Sequence, residues 1–85
     1  MIIHFTDHAL MKIELLKTHG VKVSRELIED TLRNPDIIDT GYKNRLIVQK
    51  RITDRHVLRV VYERKDEEIT VITMYPGRRS RYEKD

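Results

Sequence analysis

Three arginines and two tyrosines crowd into one segment, Tyr75-Pro76-Gly77-Arg78-Arg79-Ser80-Arg81-Tyr82. A guanidinium is a planar fork of donors that matches the oxygens of a phosphate, and a tyrosine can stack on a base or carry a proton. Two further arginines, Arg51 and Arg59, lie in the β-like segments before it. Strand alternation puts them on one face with Arg45 and Gln49, among Ile47, Val57 and Val61. Such a set can surround a phosphodiester. RNA brings its own nucleophile, the 2′-hydroxyl, so cleaving it requires positioning, charge stabilisation and proton transfer. Here Arg59 and Arg79 would stabilise charge, Arg45, Arg51, Arg78 and Arg81 would bind phosphate, and Tyr82, Tyr75 or a histidine would move protons. The plainer alternative for any one arginine is a long stem covering apolar sheet.

His8 is a second candidate, in the first turn of a helix with Lys12 one turn further on the same side. A histidine there can act as acid or base, or touch phosphate when protonated. Its structural alternative is a hydrogen bond that ties the first strand to the helix. His4 and His8 are four residues apart across a change from strand to helix, and His19 and His56 are isolated. No HExxH pattern or cysteine accompanies them, so neither a metal nor a cofactor is expected.

The elements that must position these groups can be read from period and caps. Met1–Phe5 opens as a short strand. Thr6 then caps a helix with Asp7 in its first turn and a core stripe of Ala9, Leu10, Ile13 and Leu16, which Gly20 stops. Ser24 caps a second helix that buries Leu27, Ile28, Thr31 and Leu32 and ends at Asn34-Pro35. A connection through Asp39, Thr40 and Gly41 leads to three segments rich in Val, Ile, Thr and Tyr: 45–52, 56–64 and 68–75. Tight turns at Thr53-Asp54-Arg55 and Lys65-Asp66-Glu67 make them an antiparallel meander. Leu46, Val48 and Ile52 share parity with Leu58, Val60 and Tyr62, and this apolar face packs under the helices. The expected fold is therefore α+β: a short N-terminal strand and two helices on one face of a curved antiparallel sheet of three to four strands.

Eighty-five residues make one domain, 1–85, with a modest core. The absence of cysteine excludes a disulfide framework and a thiol nucleophile. No apolar run approaches a membrane span and no secretory pattern opens the chain, so a cytoplasmic location is expected. The net charge of +3 hides an asymmetry. Residues 1–42 carry five basic and seven acidic groups, whereas 43–85 carry twelve basic and seven acidic ones. A polyanion would meet the second half.

Four motifs in order, Phe5-Thr6-Asp7-His8-Ala9, Asn34-Pro35-Asp36, Leu58-Arg59-Val60-Val61-Tyr62 and Tyr75–Tyr82, resemble a family of small prokaryotic proteins of unknown function. That family is grouped with the RelE/ParE-like and BrnT-like toxins of toxin–antitoxin systems. The resemblance implies a microbial ribonuclease-like fold and a metal-independent RNA endonuclease, acting on RNA free or on the ribosome and neutralised by an antitoxin. The matching functional positions are Lys50, Arg51, Arg59, Arg79 and Tyr82, and His8 matches a His-Ala pair. Lys12 stands where the family commonly has arginine. The competing expectation is a non-catalytic interaction module whose basic face accepts an antitoxin or another acidic protein. A DNA-binding regulator lacks a recognition helix, since the second helix is acidic on its exposed side.

Overall fold

The computed structural model describes residues 1–83. It is an α+β domain with two helices on one face of a five-stranded sheet. Strands β1 (Ile2–Phe5), β2 (Ile37–Thr40), β3 (Leu46–Arg51), β4 (His56–Lys65) and β5 (Glu68–Arg78) are arranged in the order β1-β5-β4-β3-β2. Helices α1 (Asp7–Thr18) and α2 (Arg25–Arg33) precede β2, and a short helix α3 (Arg79–Tyr82) follows β5.

Both long helices begin as their caps require. The Thr6 hydroxyl accepts from the Ala9 N–H at 3.0 Å, and the Ser24 hydroxyl accepts from Leu27 N–H at 3.0 Å. Gly20, at φ 80°, lets the chain turn back so that the Val21 N–H reaches the Leu16 carbonyl at 2.8 Å. Thr6 has a second task, donating to the Ile72 carbonyl of β5 at 3.2 Å. Thr6→Ala is accordingly expected to lose about 1–2 kcal/mol, the upper part of the usual range for a cap, read as a lowered denaturant midpoint.

The core lies between helices and sheet. Ala9, Ile13, Leu16, Val23, Ile28 and Leu32 meet Val48, Leu58, Val60, Tyr62, Val71 and Met74. The helix boundaries and the apolar parity across β3 and β4 agree with the sequence reading, with Leu46 opposite Tyr62 and Val48 opposite Val60. The last strand, read as 68–75, continues through Pro76 and Gly77 to Arg78 because β4 is long enough to pair with it. Leu10 does not join the core stripe. It is 41% exposed, because it lies about 100° round the helix from Ala9.

The sheet is wider and more mixed than expected. Ile37–Thr40, whose last two residues read as a connection in the sequence, pairs antiparallel with β3, and β1 pairs parallel with β5. β2 and β3 form a hairpin across residues 41–45, where Lys43 and Asn44 take positive φ and the Gly41 N–H reaches the Arg45 carbonyl at 2.7 Å. The β1–β5 pairing is long-range and leaves no turn signal. An irregularity between β4 and β5 matters more. Val61 faces Thr73 while Tyr62 faces Val71, leaving Ile72 as a bulge residue without a partner. The bulge reverses the parity of the rest of β5. Ile69 and Val71 point into the core before it and Met74 after it, so Thr73, Tyr75 and Gly77 emerge on the opposite face, beside Val61, Arg59 and Val57.

Candidate anion-binding site

On the face away from α1 and α2, Gln49 and Arg59 are opposite each other on β3 and β4, and Arg59 is opposite Tyr75 on β5. Arg59 is only 6% exposed. A guanidinium withdrawn from water to that degree needs partners for its donors. Its Nη1 donates to Gln49 Oε1, its Nε donates to the Tyr75 hydroxyl at 3.0 Å, and Asp39 Oδ2 of β2 lies 3.6 Å from Nη2. The Tyr82 ring covers what remains, with its centroid 4.4 Å from the guanidinium carbon. The Tyr75 and Tyr82 rings meet at 6.3 Å and 54°. Tyr75 accepts from Arg59, so its own hydroxyl proton is free to be donated. Gln49 Nε2 is buried without a hydrogen-bond partner among the described residues.

Tyr82 reaches this place because residue 77 is glycine. A Cβ there would sit 2.6 Å from Tyr82 Cδ2 and closer still to Cε2. The start of α3 is pinned to the β3–β4 turn. Arg79 N–H donates to the Arg55 carbonyl at 2.8 Å, and Arg79 Nη1 donates to the Asp54 carbonyl at 2.6 Å.

Beside the buried cluster, two arginines converge on one carboxylate. Arg51 donates to Glu83 through Nε at 3.3 Å and Nη2 at 3.1 Å, and Arg79 Nε donates to it at 2.8 and 3.2 Å. Glu83 forms one wall of a cleft of about 600 Å³ whose other walls are Asp54, Arg55, His56, Arg78, Arg79 and Ser80. The Arg79 hydrogen bonds, followed by those of Arg51, hold the Glu83 carboxyl below its ordinary value of 4.5, against the opposing effect of burial. The folded-state value is thus the lower one. The clamp contributes stability above about pH 4.5, and that contribution is lost as the pH falls through the folded value. Acidification below 4.5 is expected to release Glu83, seen as a shift of the Arg51 and Arg79 Nε–H resonances that the Glu83→Gln variant does not show.

The residues singled out in the sequence divide sharply. Arg51, Arg59, Arg79 and Tyr82 are brought together, and Arg78 joins them on the cleft wall. Arg81 is exposed, its guanidinium carbon 5.6 Å from the Tyr82 centroid. Arg45 is paired with Glu63 at 3.1 Å. Lys50 projects to the helix side, where Nζ donates to the Asn34 carbonyl at 2.9 Å and meets Asp30 at 3.2 Å. His8 lies 3.3 Å from Thr73 Oγ1, so it ties α1 to β5, and Lys12 lies further along α1. Neither contacts the arginine cluster among the described residues. Sequence reasoning missed Glu83, although its i, i+4 spacing from Arg79 was a usable signal. Asp39 arrives through β2, and the Ile37-Ile38 pair before a five-residue loop with Gly41 and Asn44 was the usable signal.

Fold and site together define a small α+β domain with a self-occupied anion clamp on its open sheet face. Residues 5–76 match the family model described as a domain of unknown function (DUF4258), and the chain belongs to that family. The match includes Gln49, Arg51, Arg59 and Tyr75 and stops before Gly77, Arg79, Tyr82 and Glu83. No curated protein and no solved structure matches the chain. Among the described residues, no group of three or more potential metal ligands occurs, and no helix is long and apolar enough to cross a membrane.

Proposed function

We propose that the protein is an RNA-binding domain of the RelE-like and BrnT-like toxin kind, with metal-independent endoribonuclease chemistry on its open sheet face. The observation that carries this reading is the convergence of Arg51 and Arg79 on a single carboxylate beside the Arg59–Tyr75 pair. Two forks aimed at one anion would hold a phosphodiester and offset charge that builds up on it during reaction. In that reaction the 2′-hydroxyl gives up its proton to water, its oxygen attacks phosphorus, and the 5′-oxygen leaves with a proton, giving a cyclic phosphate and a free 5′-hydroxyl. The Tyr75 hydroxyl is better placed than Tyr82 or His8 to give the leaving oxygen its proton, since Arg59 fixes its oxygen and leaves its proton unused. Arg59 becomes a positioning residue.

The test is binding and cleavage of messenger RNA, alone and with ribosomes, by the wild type and an Arg51→Gln, Arg79→Gln double variant. The wild type should cleave in at least one setting. The double variant should bind more weakly and lower the slope of log affinity against log salt by about two. An unchanged slope removes these arginines from the interface, and absence of cleavage in both settings removes the enzyme.

A second reading is supported by the same carboxylate: the clamp already accepts a carboxylate, as an acidic antitoxin segment would supply. The outer strand β2 also exposes Ile38 and leads into Tyr42, which is 82% exposed. Binding of an acidic peptide without any RNA binding would favour this reading.

A further inference from the structure

The anion between Arg51 and Arg79 is the chain's own, the Glu83 carboxylate, which serves two guanidinium groups at once. Three nitrogens, Arg51 Nε, Arg51 Nη2 and Arg79 Nε, make five contacts of 2.8 to 3.3 Å with its two oxygens. Arg51 Nη2 and Arg79 Nε each divide between Oε1 and Oε2. A phosphodiester offers the same two forks two terminal oxygens, and a terminal or inorganic phosphate three or four with a larger charge, so a phosphate can take the place of the carboxylate. The cleft of about 600 Å³ beside Glu83 provides the room, and its exposed walls bring Arg55 and Arg78, neither of which has a carboxylate in ion-pair range among the described residues.

We infer that Glu83 is a displaceable plug in a phosphate site, and that a phosphate group binds between Arg51 and Arg79 by expelling it. This rests on the reading that these arginines face phosphate and adds a regulatory contact to it. Displacement also loosens the strap over Arg59, because Glu83 directly follows Tyr82, whose ring covers that guanidinium. The plug therefore sets a threshold: weak anions leave the face closed, and a ligand with several phosphates opens it.

Inorganic phosphate is the direct probe, titrated while the arginine Nε–H resonances are followed in the wild type, in Glu83→Gln and in Glu83→Gln with Arg51→Gln. Phosphate should move Arg51 and Arg79 together. It should bind Glu83→Gln about five- to tenfold more tightly than wild type, the scale of one lost charged competitor at a partly exposed site. Arg51→Gln should cancel that gain, and Glu83→Ala should reproduce it. Equal affinity in wild type and both Glu83 variants overturns the plug, as does a response confined to Arg55 and Arg78. A parallel titration with single-stranded RNA separates the two ideas. A phosphate gain without RNA binding leaves the plug standing and ends the RNA reading. RNA binding that is indifferent to Glu83 does the reverse.

Discussion

Arg59→Ala is expected to lower the stability of the domain by about 3 kcal/mol, the size reached when a buried charged network loses its centre. The guanidinium is the donor for Gln49 Oε1 and for the Tyr75 hydroxyl, and Gln49 itself is only 1% exposed. Truncation leaves both acceptors unsatisfied, at about 1–3 kcal/mol each, and opens a void beneath Tyr82. Relaxation of Tyr75, which is half-buried, and entry of water hold the total near the lower end. For a domain of this size the loss corresponds to a fall on the order of 15 °C in the unfolding midpoint. Arg59→Lys should fall between, since an ammonium keeps the charge but cannot reach two acceptors in one plane. Thermal and urea unfolding measure both variants. A loss under about 1 kcal/mol for alanine would mean that the guanidinium is already hydrated and no longer the centre of the face.

Gly77→Ala is expected to act on the same face through sterics alone. The added methyl group overlaps the Tyr82 ring, and the backbone of β5 cannot retreat because Gly77 is paired with Val57 on β4. Tyr82 must therefore leave, taking α3 and Glu83 out of place. The expected loss is about 1–3 kcal/mol, in the range of an overpacked contact that a mobile side chain can relieve. Arg59 should become accessible at the same time, shown by faster exchange of its Nε–H protons. A variant that keeps Tyr82 on Arg59, with unchanged exchange, would contradict this account of the glycine. The two variants also separate stability from covering: Arg59→Ala removes the network, whereas Gly77→Ala removes its lid.

Much of the fold was legible because its signals are local. Thr6 and Ser24 cap their helices by contacts three residues away, Gly20 and Asn34-Pro35 end them, and alternation in 46–52 and 56–62 separates core from surface. Arg51 and Arg59 were placed on the open face by the same alternation. Two features escaped that reading. Ile37–Thr40 is too short and too exposed to carry a strand signature by alternation alone, and it is a strand only because β3 offers it an edge. Lys50 was grouped with the phosphate ligands, but the parity that puts Gln49 beside Arg59 turns Lys50 toward Asp30 and α2.

By itself, then, the amino-acid sequence determined an α+β domain with two capped helices, an apolar sheet face and a basic second half, all consequences of residue type and short-range period. The tertiary structure decided which basic residues meet. The bulge at Ile72 carries Tyr75 and Gly77 to the side of Arg59, and Gly77 in turn admits Tyr82. The fold-back of α3 then delivers Glu83 to Arg51, a residue thirty-two positions away. Those steps depend on one extra residue in a ladder and on space left by a missing side chain. Neither has a local energetic signature, so the convergence of the arginines on Glu83 exists only once the whole sheet is assembled.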